Sequence, residues 1–130
     1  MERLKVILSV DLKQKKIERI EKPWGYEIIW AHTKDYVAKI LFVKAGHSLS
    51  LQYHKQKEET MYVESGSCRI ESGPDQDSLS STVFSPGDVF HILPGQLHRV
   101  HALSDCRIFE VSTPHLDDVV RLQDKYGRTS

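Results

Sequence analysis

The chain has no surplus of either charge: 18 Lys and Arg balance 18 Asp and Glu, and the sequence pI is about 7.1. Without a basic surface, binding to nucleic acid or to anionic membranes loses its usual electrostatic driving force. No run approaches the roughly 20 apolar residues that cross a bilayer, and the amino end lacks a small-residue cleavage site. We therefore expect a cytoplasmic protein with neither a nucleic-acid nor a membrane partner. Cysteine is scarce as well. Cys68 and Cys106 form no CxxC or zinc-finger spacing, and two residues do not specify a disulfide, so buried free thiols are the simpler reading.

Seven histidines stand out, four of them in two short segments. At 130 residues the chain suits a single domain, 1–130, with its core over about 22–113. Between Glu18 and Ser112, runs rich in Val, Ile, Phe, Tyr and Thr are each closed by Gly, Pro, Ser or Asp. This predicts an all-β fold with strands at Tyr26–Trp30, Tyr36–Val43, Ser50–Tyr53, Glu59–Ser65, Ser67–Ser72, Leu79–Phe84, Asp88–His91, His98–His101 and Cys106–Val111. Many short strands closed by turns suit a barrel or sandwich. Leu4–Leu12 reads as an edge or dimer strand, and Lys13–Lys22 as a solvated connection. Leu116, Val119, Val120 and Gln123 fall at helical spacing behind Asp117 and Asp118, which predicts a short C-terminal helix.

Alternation places Ser50, Gln52 and His54 on one strand face and Glu59, Met61 and Val63 on one face of the next. If those strands are neighbours, Gln52, His54 and Glu59 converge. The segment from Gly46 to Gly66 and the segment from Pro86 to His98 resemble the two motifs of the cupin superfamily, G-x5-H-x-H-x4-E-x6-G and G-x5-P-x-G-x2-H. The resemblance implies a double-stranded β-helix, or jelly-roll barrel, with metal ligands at Gln52, His54, Glu59 and His98. Gln52 stands where most cupins have His, and Leu93 where most have Pro. Two imidazoles, a carboxylate and an amide oxygen suit a divalent metal, Zn first, with Mn, Fe, Co or Ni as alternatives.

A narrower resemblance rests on Lys22-Pro23-Trp24-Gly25, Leu49–His54, Glu59, His98-Arg99, Glu110-Val111 and the tail Asp117–Arg128. These look like the isomerase domain of type II phosphomannose isomerases, in which Q-x-H is the usual first half of the motif. That family reads Q-x-H-H-H-R-A-E-H-W. Here Lys57 replaces the arginine associated with activity, and Thr60 and Met61 replace His and Trp.

The resemblance implies a metal-dependent cupin acting on a sugar phosphate, by aldose–ketose isomerisation of the mannose 6-phosphate type. Lys57 and Arg99 are the expected catalytic residues, holding the phosphate, with Glu58 or Glu110 as base. The alternatives are a non-catalytic sugar-binding or regulatory cupin, or an iron-dependent oxygenase. His91 and His101 read as structural, Trp24 as a packing anchor, Lys39 as snorkelling to solvent, and Asp124, Tyr126 and Arg128 as tail anchors. A small barrel with an additional apolar strand is expected to form a homodimer.

Overall fold

The computed structural model describes residues 12–130, and every regular element in them is a strand. In chain order these are β1 (Glu18–Lys22), β2 (Gly25–His32), β3 (Val37–Val43), β4 (Leu51–Tyr53), β5 (Glu59–Ser65), β6 (Cys68–Gly73), β7 (Ser80–Phe84), β8 (Val89–Ile92), β9 (Leu97–Ala102), β10 (Cys106–Ser112) and β11 (Val120–Gln123). They form a six-stranded sheet, β1-β2-β3-β10-β5-β8, facing a five-stranded sheet, β11-β4-β9-β6-β7. All pairings are antiparallel.

Strand alternation divides the interior into two ends. In β10 Cys106, Ile108, Glu110 and Ser112 point inward, while Arg107, Phe109 and Val111 point out. Register then aligns like with like: Ile108 pairs with Leu41 and Val63, whereas Glu110 pairs with Lys39 and Ser112 with Glu59. One end is an apolar core in which Leu41, Val43, Val63 and Ile108 meet Ile70 and Val100 of the other sheet. Each such side chain contributes about 1.5–3 kcal/mol on full burial. The other end is polar, with Lys39, Lys57, Glu59, His98 and Glu110 all buried.

Trp24 is buried in the core cluster and also forms part of a cavity wall. The glycine after it is sterically required: at Gly25, with φ of 153°, a Cβ would lie 1.9 Å from the Phe42 carbonyl oxygen. Cys68 and Cys106 are free, buried thiols. The Cys68 thiol is pushed up by the Cys106 thiol beside it and by burial.

Two expectations change, and a third falls outside the described residues. The C-terminal helix is a strand, β11, paired with β4; Val120 lies opposite Tyr53 and Arg121 opposite Gln52. The charged stretch 13–22 is not all connection, because Glu18–Lys22 forms edge strand β1 with its register on β2. An edge strand tolerates this charge because one side faces water, and the Arg19 guanidinium stacks 3.8 Å from the Tyr26 ring. The Leu4–Leu12 strand lies outside the described residues apart from Leu12, which is exposed.

Candidate metal centre and its cavity

Glu59 opens β5 in the larger sheet, while His98 in β9 and His54 just after β4 belong to the smaller one. The strands carrying His54 and Glu59 are therefore not neighbours; their side chains meet across the barrel. Glu59 Oε1 lies 3.5 Å from His54 Nε2 and 3.3 Å from His98 Nε2. The three ligand atoms all lie within 4.8 Å of one another, and all three residues are buried. Gln52 is paired with His98 by register, and its amide nitrogen sits 3.5 Å from His98 Nε2. Its Oε1 accepts a hydrogen bond from Ser50 Oγ at 2.9 Å. Turning the amide over presents Oε1 to the site, and the Ser50 hydroxyl can then accept from the amide nitrogen.

Backbone carbonyls fix both imidazoles. His54 Nδ1 donates to Asp118 O at 2.5 Å and His98 Nδ1 to Gln96 O at 3.0 Å. A carbonyl only accepts, so Nδ1 carries the hydrogen and each Nε2 directs a lone pair toward Glu59. The Asp118 carboxylate meanwhile accepts the N–H groups of Lys55, Gln56 and Lys57 at 2.9, 2.6 and 2.9 Å. Burial pushes this carboxyl up, but the three N–H bonds outweigh it and bring it down to about 2. One residue thus orients His54 with its carbonyl and holds the Lys55–Lys57 turn with its side chain.

Charge within the site is tightly coupled. Lys57 Nζ lies 2.9 Å from Glu59 Oε2 and 3.1 Å from Glu110 Oε2. Burial works against the Lys57 ammonium, yet Glu110 and Glu59 override it and hold it above the ordinary lysine range. Burial likewise opposes the Glu59 carboxylate, but hydrogen bonds from His54 and His98 in their protonated forms, together with the Lys57 ammonium, hold it well below the usual range; the neutral imidazoles offer Nε2 lone pairs instead. Glu110 behaves oppositely: burial and the Glu59 charge push it up, against the pull of Lys57 and Lys39.

His54 Nε2 and Glu59 Oε1 are buried without a hydrogen-bond partner. Convergent acceptors with no donor between them are costly to desolvate, and a cation removes the cost. Two imidazole nitrogens and a carboxylate, with an amide oxygen available, fit a divalent ion.

The site opens into a cavity of about 490 Å³, within the usual range for small-molecule sites. Lys57 and Glu110 line it. Arg99 is in a different place: β9 turns residue 98 inward and residue 99 outward. Its guanidinium reaches Glu71 on the outer face through bonds of 3.3 and 3.1 Å. Glu58 also faces out, 2.7 Å from His91, which bonds Thr60 as well. His101 joins Ser48 to Glu71 beside Arg99. Lys39, in contrast, does not snorkel to solvent: it is buried against Glu27 at 3.4 Å on the cavity wall, because alternation in β3 points it inward with Leu41. Sequence reasoning missed Glu27 and Arg121 and placed Arg128 only as an anchor, though all three line the cavity. For Arg121 the available signal was Val120-Arg121-Leu122 read as a strand rather than as a helical turn.

Residues 10–124 match the family described as mannose-6-phosphate isomerase C-terminal. The chain belongs to this family. Among curated relatives, the Salmonella typhimurium mannose-1-phosphate guanylyltransferase ManC is 32% identical over 114 residues, covering 84% of this chain and 23% of that protein. XanB, a xanthan biosynthesis protein of Xanthomonas campestris pv. campestris, is 33% identical over 118 residues, 85% of this chain and 24% of its own. The family chain described here thus spans about a quarter of the length of these relatives.

Solved structures agree on the cupin barrel. The capsular polysaccharide assembling protein CapF from Staphylococcus aureus superposes with a TM-score of 0.71 at 19% identity, over 85% of this chain and 35% of that one. A Bacillus subtilis oxalate decarboxylase, described with Mn(II) centres, gives 0.70 at 21% identity, over 81% and 30%. Among the described residues, no helix is long and apolar enough to cross a membrane.

Proposed function

We propose that this chain is a metal-dependent cupin of the cytoplasm that interconverts an aldose phosphate and a ketose phosphate of the mannose 6-phosphate type. The observation that carries the reading is the pair of buried imidazoles, each oriented by a backbone carbonyl and aimed at Glu59 on the wall of an open cavity. Gln52, His54, Glu59 and His98 would hold a divalent ion, Zn first among candidates; Mn has the support of a fold relative. Such an ion supplies Lewis acidity toward two neighbouring sugar oxygens.

The remaining work belongs to side chains. Glu110, raised by burial and facing the cavity, is the proposed base: it takes the proton from C2 and returns it to C1. Lys57 holds the Glu59 and Glu110 carboxylates apart in charge and fixes their orientation. Glu58 and Arg99 face away from the cavity and take no part.

A second reading, a sugar-binding module without turnover, is favoured by Lys57 itself. Its ammonium already pairs with both buried carboxylates, and it lacks the guanidinium fork that suits phosphate. Incubating metal-loaded protein with mannose 6-phosphate in deuterated water decides between the two. Isomerisation through an enediol yields ketose phosphate and exchanges the C2 proton with solvent at least partly. Neither product nor deuterium uptake across a panel of aldose and ketose phosphates would leave the binding module standing.

We also infer a homodimer formed through the outer face of the larger sheet. Ile28, Ile40, Phe109, Tyr62 and Val89 stand side by side across five strands there. Arg107 and Glu64 flank the row with opposite charges, a margin that a two-fold copy can match to itself.

A further inference from the structure

Most cations lining the cavity are already matched by a carboxylate. Lys22 and Lys39 share Glu27, at 3.6 and 3.4 Å. Lys57 lies between Glu59 and Glu110. Arg128 donates Nε and Nη2 to Asp124, at 2.8 and 3.2 Å. Arg121 differs. Among the described residues no carboxylate lies within ion-pair distance of it, and its Nε is buried without a hydrogen-bond partner. Its side chain lines the cavity nonetheless.

Register explains how it comes to face the site. Arg121 in β11 stands directly opposite Gln52 in β4, and Gln52 stands opposite His98 in β9. Residues directly opposite one another in antiparallel strands share a face, so Arg121, Gln52 and His98 form one inward row. Two strand spacings separate the Arg121 backbone from that of His98, about 10 Å. The guanidinium can therefore hold one end of a small ligand while the metal ligands address the other.

A desolvated guanidinium nitrogen with no partner calls for an oxyanion, which returns charge-assisted hydrogen bonds to a planar fork. We propose that Arg121 is the anion-binding group of this cavity and takes the phosphate of a phosphorylated sugar. Arg128, whose Nη1 is not used by Asp124, stands on the same wall as a second donor. The choice of phosphate over a carboxylate rests on the sugar-phosphate reading above; the anion site rests on Arg121 itself. The assignment also fills the place left when Arg99 turned outward and Lys57 proved to be engaged.

Calorimetric titration of EDTA-treated protein tests this, since no bound metal then contributes anion affinity. The probes are inorganic phosphate, mannose 6-phosphate, mannose and glucuronate, against wild type, Arg121→Gln, Arg121→Lys and Arg99→Gln. We expect Arg121→Gln to weaken phosphate and mannose 6-phosphate at least about tenfold, the loss of hydrogen bonds to a charged group. Arg121→Lys should fall between, keeping charge without the fork, and Arg99→Gln should match wild type. Glucuronate binding as tightly as mannose 6-phosphate would overturn phosphate as the anion. Unchanged phosphate affinity in Arg121→Gln, or no phosphate binding by wild type, would overturn the site. A phosphate-induced rise in wild-type melting temperature that Arg121→Lys reduces keeps the proposal testable should Arg121→Gln misfold. The isomerase reading is judged separately, by product and deuterium, so either can fail while the other stands.

Discussion

Lys57 is the residue on which the electrostatics of the cavity turn, because its ammonium is the shared counter-charge of two buried carboxylates. Replacing it with Met leaves Glu59 and Glu110 buried together without that charge. We expect a loss of about 3–5 kcal/mol in urea denaturation, the cost of breaking a buried pair on one side. A divalent ion at the adjacent ligands should restore part of it, so the deficit should shrink when metal is added. A loss no larger than the roughly 1 kcal/mol of a surface pair would sink the idea.

The ligands themselves give a complementary test. His54→Ala and His98→Ala should each reduce metal affinity by at least the roughly 10–100-fold that follows loss of an orienting partner. Near-ultraviolet circular dichroism should stay native-like, since the apolar core lies elsewhere. Stoichiometric metal in both purified variants, measured by mass spectrometry, would refute the assignment. For catalysis, Glu110→Gln should lower kcat for mannose 6-phosphate while metal content holds; an unchanged kcat would remove Glu110 as the base. The convergence of His54, Glu59 and His98 was legible from motif spacing. The outward turn of Arg99 follows from alternation with His98 as surely as the outward turn of His101, and the sequence carried that information for both.

At the scale of elements, the strands bounded by Gly and Pro turns were readable within a residue or two, because positive φ at Gly46, Gly66, Gly87 and Gly95 punctuates the chain where composition does. β11 was not readable. Its four residues are too few for period 2 to compete with a chance i, i+3, i+4, i+7 pattern, and the two aspartates looked like a helix start. Asp118 does accept backbone N–H groups in the manner of a helix cap, but from Lys55, Gln56 and Lys57, more than 60 residues away.

The segment after β11 is held by Asp124, whose carboxylate takes the Arg128 N–H and guanidinium, and by Tyr126, whose hydroxyl meets His47 Nδ1 at 2.7 Å. Arg128 holds the Asp124 carboxyl below its ordinary 3.8, so the folded chain binds this proton less readily than the unfolded one. The contribution is fully present above about pH 4 and is lost as pH falls below that value. Asp124→Asn should therefore be less stable than wild type at neutral pH, with the gap closing toward pH 3 in thermal scans. A gap that stays constant with pH would show that the carboxylate charge plays no part.

For the whole molecule, the outer row on the larger sheet is the feature that composition hid. Phe109, Tyr62 and Val89 are 37%, 43% and 57% exposed, and the Tyr62 and Phe109 rings stack at 6.1 Å between centroids. No single strand looks unusual on its outward side; the row exists only once register brings β2, β3, β10, β5 and β8 together. Sedimentation velocity at micromolar concentration should give a dimer, and Phe109→Glu a folded monomer. A wild-type monomer would count against the face as an interface.

The separation of the barrel into an apolar end and a charged end bears on how such a scaffold diversifies. Stability is vested in Leu41, Val43, Val63, Ile70, Val100 and Ile108, none of which offers a polar atom to a ligand. The polar lining comes from side chains on the same strands but two to four positions away, such as Lys39 in β3, Glu59 in β5, His98 in β9 and Glu110 in β10. Mutation can therefore exchange one set while leaving the other untouched. A frame separable from its lining suits barrels that superpose at 0.70 and 0.71 while sharing only 21% and 19% of their residues with this chain.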